Sequence, residues 1–117
     1  MSDAPLEDLR RRLAEFAAAR DWDQFHSPKN LAMALAAEAG ELLEHFQWLS
    51  EAQSAELPPA ERDAVALELA DVLLYLVRMA DKLDIDLVAA AHRKIALNEI
   101  KYPVAKARGH ARKYDQL

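Results

Sequence analysis

The chain has 117 residues, of which 52% are apolar and 30% are charged, and its net charge is −5 at neutral pH. This length supports one domain with a real hydrophobic core, so we expect a single domain over residues 1–117, with a helical core at about 5–103 and a tail at about 104–117. The acidic balance argues against nucleic acid as a partner. Because the sequence has no cysteine, disulfides, thiolate metal sites and a cysteine nucleophile are excluded.

Neither a membrane span nor a signal peptide is predicted. No apolar run reaches the roughly 18 to 20 residues that a spanning helix needs, and the N-terminal stretch MSDAPLEDLRRRLAEF is charged. We therefore expect no membrane partner and a cytoplasmic location.

The predicted fold class is all-α, with four helices in the protomer. Two glycines and five prolines leave few places for turns, and alanine and leucine dominate the periodic stretches. The first predicted helix runs from about Pro5 to Arg20, with Asp3 as its cap. The second runs from about Pro28 to Trp48, because Ser27 can cap it and proline is favoured in the first turn.

Two more helices complete the prediction. Residues 49–59 form a connector with at most one short helical turn, and Pro58 and Pro59 introduce the third helix, which continues to about Leu83. Either Asp84 or Asp86 caps the fourth helix, which ends at Pro103.

The third predicted helix is apolar on more than one face. One side carries Val65, Leu69, Val72, Leu76, Met79 and Leu83, and the other carries Leu67, Leu74 and Val77. A helix of this kind is buried on several sides, and in so small a chain the extra face predicts contact with another subunit and hence a homo-oligomer.

Two acidic pairs interrupt these apolar stretches. Glu38 and Glu41 on the second helix, and Glu68 and Asp71 on the third, are each three residues apart and so share a helix face. If the two helices pack antiparallel, four carboxylates converge, and a cation is needed to offset their repulsion. Oxygen ligands favour Mg²⁺, with Mn²⁺ as a substitute. A single pair of this kind is usually a solvated face, and only the repetition supports a metal site.

Further polar and aromatic residues form candidate binding groups. Lys94, Asn98 and Tyr102 recur at four-residue steps on the fourth helix, a stripe suited to a polyphosphate or to an ordinary exposed face. Trp22 and His26 precede the second helix and Trp48 closes it. Tryptophan at a helix end is commonly a core residue, but its flat ring can also stack on a nucleobase.

Together these motifs resemble a known family. The stretches RDWDQFHSPKNLAMALAAEAGELLEHFQWL, ELADVLLYLVRMADKLDIDL and KIALNEIKYPVAKARGHARKY are similar, in order and over nearly the whole chain, to the MazG-like all-α nucleoside triphosphate pyrophosphohydrolases, in particular the dCTP pyrophosphatase group. The combination of E-x-x-E, E-x-x-D, K-x-x-x-N and K-Y-P carries the resemblance.

The resemblance implies a function and a set of site residues. The family is expected to hydrolyse dCTP or a modified dCTP to the monophosphate and pyrophosphate, as a tetramer built from two dimers. It implies Mg²⁺ held by Glu38, Glu41, Glu68 and Asp71. Phosphate contacts are expected from Lys94, Asn98 and Tyr102, nucleoside contacts from Trp22, His26 and Trp48, and catalytic roles for Glu41, Glu38 and Lys94, with Glu41 favoured as the base.

One departure and two alternatives remain. Leu13 stands where the eukaryotic dCTP enzymes have a histidine beside the base, so cytosine preference is expected to be leaky. A phosphoribosyl-ATP pyrophosphohydrolase would share the fold, and a non-catalytic helical oligomeric scaffold would also fit the pattern. The preferred nucleobase, whether a modified nucleotide is the true substrate, which carboxylate is the general base, the number of metal ions and the role of the tail are left open.

Overall fold

The computed structural model describes residues 4–117, and every regular element in that range is helical. Six α-helices occur, α1 Ala4–Ala19, α2 Pro28–Glu44, α3 Glu51–Ala55, α4 Pro59–Lys82, α5 Leu87–Lys101 and α6 Val104–Ala107, together with short 3-10 helices at Asp23–Phe25 and Tyr114–Gln116. The predicted all-α class is confirmed. The four long helices α1, α2, α4 and α5 correspond to the four predicted ones.

The helix starts follow the capping signals. The Ser27 hydroxyl accepts a hydrogen bond from the Asn30 N–H at 3.1 Å, and Pro28 is the first residue of α2. At the start of α5 it is Asp86 whose carboxylate accepts from the Ala89 N–H, at 3.0 Å, which decides between the two predicted caps. The predicted cap Asp3 lies outside the described residues.

The end of α2 differs from the prediction. The helix stops at Glu44, whereas the apolar pattern continues to Trp48. Beyond Glu44 the backbone tightens, since the Phe46 N–H donates to the Leu43 carbonyl and the Leu49 N–H donates to the Phe46 carbonyl, both at 2.9 Å. These three-residue bonds are of the 3-10 type, so the apolar residues continue while the α-helix does not.

The connector and the tail are more ordered than the pattern indicates. The predicted short turn is α3, and a capping box starts it, in which Ser50 and Gln53 exchange side-chain to backbone hydrogen bonds. The tail, which shows no clear periodicity, contains α6 and the second short 3-10 helix.

The chain divides into two compact units, one ending at Asp84 and one beginning at Ile85. In the first, α1 and α2 both pack against α4. Its buried apolar residues lie on these three helices: Ala17, Leu31, Val65, Val77 and Ala80. The second contains α5 and α6, and there the Tyr102 and Tyr114 rings meet edge to face at 6.3 Å. A single domain over all 117 residues stays a prediction.

Two side-chain groupings give the direction of α2 against α4. His26, just before α2, contacts Arg78 near the end of α4, whereas Glu38 and Glu41, later on α2, lie beside Glu68, earlier on α4. Positions that rise along α2 therefore meet positions that fall along α4. The two helices are antiparallel, which is the arrangement that brings the acidic pairs together.

The faces of α4 are only partly as predicted. Val77, expected on a face that meets another subunit, is 5% exposed, so it belongs to the interior of this chain. Leu67 remains 71% exposed and Leu74 is half-buried. An outward apolar surface does exist on α4, but Val77 is not part of it. Within residues 4–117, no helix has both the length and the apolar character required to cross a membrane.

Candidate active site

Three carboxylates converge between α2 and α4. One oxygen from each of Glu38, Glu41 and Glu68 lies within 4.8 Å of the others. The three-residue spacing puts Glu38 and Glu41 on one face of α2, and the antiparallel packing brings Glu68 of α4 opposite them. Glu68 is 7% exposed, Glu38 is half-buried and Glu41 is exposed. The carboxylate cluster, as we call these three residues, thus runs from the interior to the surface.

Electrostatics in the carboxylate cluster disfavour full ionisation. Burial, followed by the hydrogen bond with Glu41 and the charges of the other two glutamates, raises the pKa of Glu68 to about 7. The hydrogen bond with Glu41, and then burial, raises the pKa of Glu38 above its ordinary value. Like charges held together away from water repel strongly, so either protons or a cation must offset them.

The carboxylate cluster fits a divalent cation. Hard cations take several carboxylate oxygens that lie close to one another, and that is what two helices supply here. A second observation supports the fit: the Glu38 Oε2 atom is buried and has no hydrogen-bond partner. Buried polar atoms are normally paired, and a coordinated cation would satisfy this one.

Asp71 lies near the carboxylate cluster but outside it. It follows Glu68 by one helical turn on α4 and is exposed, and its charge contributes to the raised pKa of Glu38. Among the described residues, the oxygens that gather within 4.8 Å belong to the three glutamates only. A ligand role for Asp71 therefore stays a prediction.

The end of α1 places the first tryptophan. Asp21 has a φ of 54°, which aspartate tolerates better than most residues. Its N–H donates to the Ala18 carbonyl and the Trp22 N–H donates to the Ala17 carbonyl at 2.9 Å, a pair of bonds that closes a helix. The half-exposed Trp22 ring then meets Phe16 edge to face at 5.7 Å.

A buried arginine connects the segment after Trp22 to α4. Arg78 donates from Nε to His26 Nδ1 at 3.0 Å and from its two terminal nitrogens to Asp23 at 2.6 Å and Asp81 at 3.3 Å. Sequence reasoning missed this contribution. The available signal was of the same kind as for Glu68, because Arg78 is the lone charge in the apolar run VLLYLVRMA.

Trp48 lies beyond the end of α2 and is 87% exposed. The core role considered for it is excluded within this chain. Residues that precede and follow Trp48 in the sequence line a cavity of about 470 Å³: His45, Leu49, Ala52, Gln53, Glu56, Leu57, Pro58 and Glu61. None of the predicted site residues lines that cavity, so we do not assign the nucleotide to it.

The predicted phosphate-binding stripe belongs to the second unit. Lys94 and Asn98 are exposed on α5, and Tyr102 follows its last residue. The Tyr102 N–H donates to the Asn98 carbonyl at 2.8 Å, which continues the helical spacing of the stripe. The predicted contacts of these three side chains with phosphate stay predictions.

Comparisons with known proteins define the class to which this chain belongs. A sequence model of the MazG-like family matches residues 33–117. Mouse dCTP pyrophosphatase 1 is 51% identical over 114 residues, which cover 96% of this chain and 67% of the mouse protein. Human dCTP pyrophosphatase 1 is 48% identical over 114 residues, with the same two coverages. The bovine protein of that name is 48% identical over 118 residues, covering 99% of this chain and 70% of its own length.

A solved structure agrees with this result. The crystal structure of a pyrophosphatase from Archaeoglobus fulgidus has a TM-score of 0.79 and 42% identity, covering 83% of this chain and 91% of that one. The chain belongs to the MazG-like family. The prediction of a nucleoside triphosphate pyrophosphohydrolase is confirmed by this family and by the similarity of the chain to proteins named as pyrophosphatases.

Proposed function

We propose that this chain is a magnesium-dependent pyrophosphohydrolase that converts dCTP, or a modified dCTP, to the monophosphate and pyrophosphate. The observation that carries the proposal is the carboxylate cluster with its buried, unpaired Glu38 Oε2, in a chain that is 51% identical to a dCTP pyrophosphatase. Neither alternative, phosphoribosyl-ATP hydrolysis nor a non-catalytic scaffold, accounts for both observations.

The metal is held by Glu38, Glu41, Glu68 and Asp71 in this proposal. When bound, Mg²⁺ supplies positive charge that neutralises the triphosphate oxygens and favours attack at phosphorus. The carboxylates bind and orient that charge. Since Glu68 and Glu38 have raised pKa values in the free protein, binding of the cation releases the protons that the cluster holds.

Glu41 is the proposed general base. It is the exposed member of the carboxylate cluster, so one of its oxygens can accept a proton from an attacking water while the more buried Glu38 and Glu68 hold the cation. A base must lie within hydrogen-bond reach of the proton that it removes, and the solvent-facing carboxylate has the access that this requires.

The remaining predicted residues bind the nucleotide. Trp22 and Trp48 offer exposed rings for stacking on the base, with His26 beside the nucleoside. The phosphates are contacted by the side chains of the α5 stripe: Lys94, Asn98 and Tyr102, of which Lys94 also stabilises charge in the reaction. Because Leu13 cannot donate a hydrogen bond to a base edge, the preference for cytosine is leaky.

The active form is a homo-oligomer, a tetramer in this proposal. Apolar side chains on α4 and α5 are well exposed in the single chain, including Leu67 and Leu69 on α4 and Ile95 and Ile100 on α5. Exposed apolar surface of this extent is typical of a protein-protein contact.

A panel of deoxynucleotides and ribonucleotides, together with phosphoribosyl-ATP, tests the function. With Mg²⁺, we expect fastest turnover of dCTP or its modified forms, slower turnover of other dNTPs, and pyrophosphate and monophosphate in equal amounts. Orthophosphate or a nucleoside diphosphate as the first product would show attack at another phosphorus. Exclusive turnover of phosphoribosyl-ATP, or no turnover of any substrate, would overturn the proposal.

A further inference from the structure

Arg78 is a charged residue of α4 that is buried, with only 6% exposed. Its three donor contacts reach His26, Asp23 and Asp81. Two of these residues belong to the segment between α1 and α2, more than fifty positions earlier in the chain. Arg78 therefore joins the segment that contains Trp22 and His26 to the last part of α4.

The contact with His26 defines the state of the imidazole. A guanidinium has N–H donors and no acceptor, so His26 Nδ1 must accept the hydrogen bond, at 3.0 Å from Arg78 Nε. An unprotonated Nδ1 leaves the single ring proton on Nε2. Burial, and then the charge of Arg78, lowers the pKa of His26, which favours the same neutral form.

The other charged groups around Arg78 hold it in place. Asp23 accepts from Arg78 and, at 2.9 Å, from Lys82. Asp81 accepts from Arg78 and from Arg10 of α1, both at 3.3 Å. Salt bridges to Asp23 of the segment before α2 and to Asp81 of α4 thus hold the guanidinium on two sides, and its Nε–H is left to face the imidazole.

We infer that Arg78 is a positioning residue, which fixes His26 as the neutral tautomer protonated on Nε2 and so directs a hydrogen-bond donor at an acceptor oxygen or nitrogen of the nucleoside. The inference rests on the proposed function for the identity of the ligand. Arg78 follows Glu68 by ten residues on α4, or about 15 Å along the axis. His26 therefore acts at a part of the nucleotide distant from the carboxylate cluster.

The tautomer can be measured in the unmodified protein without nucleotide. In ¹⁵N-labelled protein at neutral pH, two-bond correlations from the imidazole carbon protons should identify His26 as neutral with its proton on Nε2. A protonated Nδ1, or a charged imidazolium at pH 7, would overturn the inference. This measurement is independent of any catalytic activity, so it separates failure of this inference from failure of the proposed function.

Kinetics on matched variants test the positioning role. Arg78→Met should raise KM for dCTP by roughly three- to tenfold, the worth of one hydrogen bond, and change kcat by less than about twofold, as for a uniform binding contact. His26→Ala should raise KM equally, and the double variant should add nothing. His26→Gln, whose amide can accept from Arg78 and still donate, should retain most of the affinity.

Arg10→Met is the control, because Arg10 contacts Asp81 at the outer edge of the same network and has no hydrogen bond to His26. It should leave KM unchanged. Equal effects of Arg10→Met and Arg78→Met, or an undiminished effect of Arg78→Met when His26 is already alanine, would reduce Arg78 to a structural role. If Arg78→Met does not fold, Arg78→Lys replaces it, and the wild-type tautomer remains decisive.

Discussion

A charged side chain within an apolar stripe can have two quite different reasons, and Arg78 and Glu38 illustrate both. Burying a charge is costly unless it is paired. Arg78 has three acceptors for its donors, so its charge is compensated inside the chain. Glu38 has a buried oxygen without a partner and other carboxylates around it. Its charge is uncompensated, which is the property expected of a ligand for a cation.

The first prediction concerns the proposed metal ligands. Glu38→Gln, Glu41→Gln, Glu68→Gln and Asp71→Asn should each lower kcat/KM by about 100-fold or more, as expected when a group that stabilises reacting charge is removed. Pyrophosphate release measures the loss. Circular dichroism should show an unchanged helical signal, because each substitution keeps the side-chain shape.

Glu44→Gln is the control for this series, since Glu44 ends α2 and is exposed outside the carboxylate cluster. It should leave turnover unchanged. Near-normal activity in any two of the four ligand variants would refute the four-carboxylate site.

A second prediction at this scale concerns Trp48. Because its ring is 87% exposed, Trp48→Ala should leave the melting temperature unchanged. A stacking contact is worth about 1 to 3 kcal/mol, so KM for dCTP should rise while kcat changes less. Trp22→Ala should differ by also lowering the melting temperature, because Trp22 packs on Phe16. An unchanged KM in Trp48→Ala would remove this residue from the nucleotide site.

At the scale of the elements, local chemistry predicted where helices begin better than where they end. Ser27 and Pro28 define the start of α2, because the capping hydrogen bond joins Ser27 to Asn30, only three residues further along the chain. The end of α2 depends on a backbone that tightens after Glu44 while the apolar pattern continues. The spacing of apolar residues shows which side of a helix is buried. It does not show where α-helical hydrogen bonds give way to those of the 3-10 type.

The candidate site was predictable to the same degree. The three-residue spacing of Glu38 and Glu41 was enough to place them on one face, and their meeting with Glu68 followed once antiparallel packing was assumed. The partners of Arg78 were not predictable, because His26 and Asp23 lie far away in sequence. The burial of Val77 was missed for a related reason, since a helical wheel shows which faces are apolar but not which helix covers each face.

The third prediction concerns the contact between α2 and α4. The pKa of Glu68 is raised to about 7 from an ordinary value of 4.5. A group with a raised folded-state pKa contributes stability that is fully present below its unfolded value and is lost as pH rises through the folded value. In metal-free protein, Glu68→Gln should therefore melt at a higher temperature than wild type at pH 8, and the difference should vanish below about pH 4.5.

The comparison between variant and wild type isolates this contribution. The lowered pKa of His26 affects the free energy of unfolding with the opposite sign: its stabilising contribution is present above about pH 6.5 and is lost as pH falls through the folded-state pKa. This contribution is the same in wild type and in the variant, so it cancels in the comparison. Glu61→Gln, at an exposed position on α4, should match wild type throughout. Mg²⁺ should raise the melting temperature of wild type at pH 8 and have little effect on Glu68→Gln. A pH-independent difference would contradict the electrostatic account.

At the scale of the whole molecule, the exposed apolar side chains of α4 are the feature that the single chain leaves unexplained. Leu69, Leu73 and Leu76 share one side of α4 and Leu67 lies on another side, and each of these four side chains is more than a third exposed. Isolated apolar residues on a surface are common, but several on one helix are typical of a surface that a partner covers. A second copy of the chain is the partner that the proposed oligomer supplies.

The last prediction tests the side of α4 that carries Leu67. Leu67→Asp introduces a charge at a position that is 71% exposed in one chain, so it should leave the fold of the monomer intact. At a subunit contact, the same charge would be buried without a partner, which is strongly unfavourable. We therefore expect wild type to sediment as an oligomer at micromolar concentration and Leu67→Asp to sediment as a smaller species with an unchanged circular dichroism spectrum.

Val77→Asp, at a buried position, should instead unfold the chain. Ala66→Asp, exposed on the side of α4 that carries Leu69 and Leu73, adds the same charge away from Leu67 and shows whether that side also joins subunits. A monomeric wild type, or a Leu67→Asp variant with the wild-type coefficient, would show that this face of α4 does not join subunits.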